Sequence, residues 1–238
     1  MRIEEFLDKY TVPHDQAGKD FVAIRGCGGS GKSTFIYEMM KYDPETFEVT
    51  WSPCGKTIVM ATCIPNFNFV VLGAYKNRKC GGGDTINAKD YPTKNYNTTA
   101  DTVFDMINTL KDTKFTILFE GLLASTIYET YKNMFEEVEK LGRKIHVLSM
   151  DAPAEVCYQR ILGRNGGKEV QFANVERKWG SVHRSHEKFV QNTDFHCVLL
   201  DNSKFEKEET LQKYYDALGM TLPENYKDNF GIDLNDDW

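Results

Sequence analysis

The chain has 238 residues, 29 of them basic and 35 acidic, for a formal net charge of −6. That balance excludes a protein that holds nucleic acid by global positive charge and leaves only local basic clefts for a polyanion. Hydrophobic residues make up 41% and aromatic residues 13%, enough for a sizeable core and too much for a mostly disordered chain. No apolar run approaches the roughly 18 residues needed to span a bilayer. The acid-bearing start Met1-Arg2-Ile3-Glu4-Glu5 is not a secretory leader. The six cysteines include no Cys-x-x-Cys pair, so free thiols in a reducing cytoplasm are expected, with no membrane partner.

Short apolar runs alternate with amphipathic stretches, the order expected of an α/β chain with a parallel sheet flanked by helices. Residues 21–24, Phe-Val-Ala-Ile, predict a buried strand that runs into glycines and then a helix over 32–41. Two further strands are expected at 57–63 and 67–72, parted by a turn at Pro65-Asn66. Thr98-Thr99-Ala100-Asp101 has the form of a capping box, and the helix after it should bury Val103, Phe104, Ile107 and Leu110. A strand at 115–119 precedes the best-patterned helix, with Ala124, Ile127, Tyr128, Tyr131, Met134, Phe135, Val138 and Leu141 on one face. Strands at 145–150 and 195–200 and helices at 155–164 and 205–218 follow. No composition shift marks a boundary, so residues 1–226 read as one domain. The stretch 227–238 holds four aspartates without periodicity, as a solvated acidic tail does.

Gly26-Cys27-Gly28-Gly29-Ser30-Gly31-Lys32-Ser33 fits G-x-x-x-x-G-K-[ST], between a predicted strand and a predicted helix. Glycines let backbone N–H groups curl around a phosphate, and the helix start adds its positive dipole end. Lys32 is placed to neutralise the β- and γ-phosphates and the Ser33 hydroxyl to ligate Mg²⁺. The motif predicts a nucleoside triphosphate ligand. No Asn-Lys-x-Asp tetrapeptide occurs, which argues against a GTPase. The strand at 115–119 runs on into Glu120-Gly121, and a carboxylate at that end of a parallel strand lies where ligands bind. Glu120 is therefore a candidate for the Mg²⁺ shell or for orienting an acceptor hydroxyl.

Met150-Asp151-Ala152-Pro153 closes a strand, and the helix after it carries Arg160 and Arg164, four residues apart on one face. With Gly163, Gly166, Gly167 and Lys168 beside them, these arginines resemble the lid of small-molecule and nucleotide kinases, which stabilises the transferring phosphoryl group. Earlier, Cys80-Gly81-Gly82-Gly83-Asp84 requires a tight turn or a close backbone approach. Asp84 is either a turn-stabilising residue or the general base that takes the proton of an attacking hydroxyl.

Leu72-Gly73-x-Tyr75, then Cys80-Gly81-Gly82-x-Asp84-Thr85-Ile86, then Leu118-Phe119-Glu120-Gly121-Leu122-x-x-Ser125 resemble the phage 5-hydroxymethyluracil DNA kinases, a family of P-loop kinases. The resemblance runs over about residues 22–188. It implies a P-loop kinase sheet with an arginine-bearing lid, ATP as donor, Mg²⁺, and a 5-hydroxymethyl-pyrimidine within DNA as acceptor. The product would be an activated intermediate in thymidine hypermodification, made in the host cytoplasm if the chain is phage-encoded. On this sequence it implies that Gly26, Gly28, Gly29, Ser30, Gly31, Lys32, Ser33 and Thr34 hold the donor. Tyr75, Cys80, Gly81, Gly82 and Asp84 would form the acceptor side, Glu120 would sit at the metal or acceptor, and Arg160 and Arg164 would belong to the lid. After the lid the family's Asn-Pro-x-Asn-Thr-x-x-Lys-like run is replaced by Phe172-Ala173-Asn174-Val175-Glu176-Arg177-Lys178, which keeps only Asn174 and Lys178.

A base inside a duplex cannot present its hydroxymethyl group to a buried γ-phosphate, so the acceptor must be flipped out or single-stranded. Tyr75 beside Lys76, Arg78 and Lys79 offers one aromatic and cationic patch. Arg177, Lys178, Trp179, His183, Arg184 and Lys188 offer a second, with Trp179 able to stack on a base. Two other readings remain: a kinase of a free nucleotide, nucleoside or small metabolite, and a nucleotide-binding module without kinase activity.

Overall fold

A computed structural model of the chain describes residues 1–52, 57–76, 81–83, 86, 99–204, 209–224 and 226–229. Two compact units emerge, one of Met1–Ala23, Glu45–Gly121 and Glu129–Ile145, the other of Ile24–Pro44, Leu122–Tyr128 and His146–Trp238. The strands are hydrogen-bonded in the order β2-β3-β4-β6-β1-β7-β8, with a short β5 on β4. Their ranges are β1 Asp20–Arg25, β2 Phe47–Trp51, β3 Ile58–Ile64, β4 Phe69–Ala74, β5 Gly81–Gly82, β6 Thr116–Glu120, β7 Lys144–Asp151 and β8 His196–Asp201. β4 pairs with β6, and β7 with β8, in parallel, whereas β2, β3 and β4 form an antiparallel edge. This is the α/β sheet flanked by helices that the alternating pattern predicts, parallel as expected at β4–β6 and β7–β8 but extended by an antiparallel edge that the pattern does not announce. No helix among the described residues is long and apolar enough to cross a membrane.

In the first unit, with helices α1 (Ile3–Tyr10), α3 (Thr99–Leu110) and α5 (Tyr128–Lys140), β4 buries Phe69, Val70, Val71 and Leu72 and β6 buries Ile117, Leu118 and Phe119, whereas Phe47 and Trp51 of β2 and Ile58 and Val59 of β3 are half-buried. Phe6 of α1 stacks on Phe115, and Phe21 of β1 meets Phe135 of α5 with ring centroids 5.5 Å apart. Arg143 is also buried. Its guanidinium donates to the carbonyls of Asp20, Phe115, Leu110 and Lys111, which gather around it where β1 and β6 begin. Such a set of acceptors is what makes a buried charge tolerable, although burial still lowers its pKa to about 10.

The second unit is built from α2 (Lys32–Lys41), α4 (Leu122–Thr126), α6 (Ala154–Arg164), α7 (Phe172–Asn192) and α8 (Thr210–Leu218), with β8. Phe35 of α2 stacks on Tyr214 of α8 at 4.5 Å. Cys27, Ala152, Cys157, Ile161, Val175 and Val182 form a separate apolar cluster, with Trp179 packed against it.

Two expectations change here. The helix predicted through 124–141 is broken at Ile127, which is 42% exposed. A continuous helix would give the Ala124 and Ser125 carbonyls to the N–H groups four residues on. Instead the Arg25 guanidinium takes both, at 2.8 Å each, and caps α4. Phe104 is half-buried rather than buried. The segment 205–208, predicted to start the last helix, and most of the acidic tail lie outside the described residues.

Candidate active site

The phosphate loop leaves β1 at Gly26 and enters α2 at Lys32. Its carbonyls are held by side chains from around the second unit. Lys32 Nζ donates to the carbonyls of Gly26 and Cys27, at 2.9 and 3.0 Å. Arg160 donates to Gly29, Asn202 to Ser30 and the Tyr214 hydroxyl to Gly31. A peptide unit with its carbonyl held outward presents its N–H on the opposite side, which is how a loop becomes an anion nest. Gly31 has φ +94°, and a Cβ there would lie 2.1 Å from Asn202 Nδ2, so glycine is required. Thr34 follows in the first turn of α2, its N–H on the Gly31 carbonyl.

Two features of this loop had no distinct sequence signal. Asn202 and Tyr214 come from distant segments and hold the loop only once the chain is folded. Ser125, quoted above only for its place in a motif, accepts the Gly26 N–H on its hydroxyl at 2.9 Å. Beneath the loop, the Cys27 and Cys157 sulfurs lie 3.2 Å apart. That contact, helped by Lys32, lowers Cys27 to about 7 against the opposing effect of burial, while the same contact and burial raise Cys157.

On α6, the helix expected to form the lid, Arg160 is half-buried and also donates to the Ser203 carbonyl, whereas Arg164 is exposed in the last turn. On α7, Arg177 and Lys178 are exposed, and Arg177 donates to Asn174 Oδ1. Trp179 is half-buried, its ring centroid 3.9 Å from that of His183 and its body against the apolar cluster. The second patch read from the sequence is therefore divided by the helix: Arg177, Lys178, Arg184 and Lys188 face out, and Trp179 and His183 face in. His183 in turn meets Asp151 Oδ1 at 3.0 Å.

In the first unit, Tyr75 is fully buried and presents no ring face to solvent. Its hydroxyl donates to Glu120 Oε1 at 2.9 Å, at the end of β6. Gly81 and Gly82 pair with Ala74 and Gly73. A Cβ on Gly83 would lie 3.0 Å from the Phe119 ring and 3.1 Å from Leu72, the close approach that the glycine run predicts. Arg78, Lys79, Cys80, Asp84 and Thr85 lie outside the described residues.

The Ser33 hydroxyl and the Glu120 carboxylate are hard oxygen donors of the kind Mg²⁺ takes. Among the described residues no group of three His, Cys, Asp or Glu side chains could hold an ion by itself.

A strand, a glycine loop with its lysine and serine, and a helix, set in a sheet flanked by helices, define a protein of the P-loop class. The sequence model of the 5-hmdU DNA kinase family matches residues 8–198. The 5-hmdU DNA kinase of Bacillus phage SP10 is 31% identical over 206 residues, covering 84% of this chain and 30% of that protein. 5-hmdU DNA kinase 1 of Salmonella phage ViI is 32% identical over 160 residues, covering 67% of this chain and 66% of that protein. The 5-hmdU DNA kinase of Pseudomonas phage M6 is 28% identical over 179 residues, covering 71% and 84%. The chain belongs to the 5-hmdU DNA kinase family. It spans 30% of the length of the SP10 relative and 66% of the ViI relative.

Proposed function

We propose that the chain is an ATP-dependent phosphotransferase that moves the γ-phosphate of ATP to the 5-hydroxymethyl group of 5-hydroxymethyluracil in DNA. The phosphorylated base would be an activated intermediate in thymidine hypermodification. The observation that supports this most is the family match over residues 8–198, a span that includes the phosphate loop, the Tyr75–Glu120 pair and the lid helix. Residues 1–226 are taken as one kinase domain with an acidic tail at 227–238, working in the cytoplasm, the host's if the chain is phage-encoded.

In this reading the loop amides of Gly26 to Ser33, with Thr34, hold the donor phosphates, and Lys32 exchanges its loop carbonyls for their charge. Mg²⁺ would be held by Ser33 and Glu120 and would offset charge on the phosphates. Asp84 takes the proton of the hydroxymethyl oxygen as it attacks, and Tyr75 fixes the direction of Glu120. Arg160 and Arg164 stabilise charge on the phosphoryl group in transit. Cys80, Gly81 and Gly82 line the acceptor side. Arg177 and Lys178 contact the DNA backbone, whereas Trp179 is assigned to holding α7 in its cluster.

The net charge of −6 favours a second reading, a free nucleotide as acceptor, because it repels a polyanion away from the local patches. The test of the leading reading uses γ-labelled ATP with hydroxymethyluracil DNA and with thymine DNA of the same sequence. Label is expected on the first alone. Equal labelling, or none on either DNA, contradicts the proposal.

A further inference from the structure

We infer that Ser125 is a positioning residue of the donor site, fixing the mouth of the phosphate loop, and that Arg25 acts through it. The inference rests on reading the loop as a nucleotide site. Ser125 is fully buried in α4, and the function above gives it no task. Its hydroxyl accepts the Gly26 N–H at 2.9 Å, which clamps the peptide between Arg25 and Gly26 where the strand becomes the loop.

The clamp is reciprocal. Arg25, immediately before Gly26, turns its side chain back onto α4, with Nε on the Ala124 carbonyl and Nη2 on the Ser125 carbonyl. Nη2 also donates to Ser185 Oγ at 2.6 Å, and the guanidinium lies 4.6 Å from the Phe189 ring centroid. The side chain of residue 25 thus holds the backbone of Ser125, and the side chain of Ser125 holds the backbone of Gly26. A fully buried guanidinium is tolerated only with such acceptors, and their directions fix where Ser125 stands.

The consequence reaches the lysine. The Gly26 carbonyl is one of the two that receive Lys32 Nζ. A drift of Gly26 therefore moves both the first amide of the loop and the anchor of its cation. Phosphate sites of this kind work only when held within about 0.5 Å of their productive geometry. Without the Ser125 hydroxyl the Gly26 N–H must find another acceptor, and the loop shifts to supply one.

Ser125→Ala tests the inference, because alanine suits a helix and introduces no bulk. ATP binding should weaken about tenfold, with kcat at saturating ATP changed by less than about threefold. A role confined to stability would lower the melting temperature and leave ATP affinity alone. Arg25→Lys keeps the charge but loses the fork, and it should weaken ATP binding by a similar factor. The double variant should be no worse than the weaker-binding single, since both changes break one bracket. ATP affinity of Ser125→Ala within twofold of wild type overturns the inference for Ser125, and additive losses overturn the link to Arg25. If the wild-type chain binds no ATP, the nucleotide-site reading fails and takes the inference with it.

Discussion

The Tyr75 hydroxyl donates to Glu120 Oε1 at 2.9 Å, joining the residue after β4 to the end of β6. Both side chains are buried, Glu120 to 2% exposure. A carboxylate so enclosed has its direction set by its donors, and Tyr75 is one of them. Tyr75→Phe removes that donor while keeping the ring. It should lower kcat by about tenfold and leave ATP affinity within about twofold, whereas Glu120→Gln should cost about a hundredfold in kcat. Steady-state kinetics beside nucleotide titrations measure both.

Gly31 has the second sharp requirement. Its φ of +94° and the 2.1 Å from a would-be Cβ to Asn202 Nδ2 leave no room for a side chain. Gly31→Ala must push Asn202 away from the Ser30 carbonyl, which it holds at 2.7 Å. We expect a loss of about 2 kcal/mol in stability and at least tenfold in ATP binding. Chemical denaturation and nucleotide titration of the same variant check the two separately.

Much of this arrangement was legible in the sequence because it is local. The loop motif, its flanking strand and helix, and the turn at Pro65 each depend on neighbours within a few residues, and the structure has them as read. The break at Ile127 was not legible. It depends on Arg25, about a hundred residues earlier, taking two helical carbonyls. Helix α7 was also missed, because Val175, Val182 and Phe189 recur only every seven residues and Ser185 and His186 complete its buried face. Trp179 read as able to stack on a base because sequence alone does not say which side of α7 meets the cluster of Cys157 and Ile161.

His186 gives a pH dependence. Burial first, then the charges of Arg25 and His183, lower its pKa below the ordinary 6.5, while its Nδ1 meets Ser149 Oγ at 3.0 Å. Below about pH 6.5 the unfolded chain takes up a proton that the folded chain refuses. Stability therefore falls as pH drops from there towards the lowered folded value. The melting temperature of wild type should fall more steeply between about pH 7 and pH 5 than that of His186→Gln.

Asp84→Asn tests the assigned base. Phosphoryl transfer should drop by about 10²–10⁴-fold while ATP still binds, since the change touches only the acceptor's proton. Near-normal turnover by this variant would remove Asp84 from the mechanism.

The most direct test of the central claim compares kcat/KM for a single-stranded oligonucleotide carrying one hydroxymethyluracil with that for the free hydroxymethylated nucleotide, in the same buffer and at several salt concentrations. The oligonucleotide is expected to be preferred, with an advantage that shrinks as salt rises, if the exposed cations Arg177 and Lys178 contact its backbone as proposed. A free nucleotide used as well as the oligonucleotide, with no dependence on salt, would contradict the proposal and make the chain an enzyme of nucleotide metabolism.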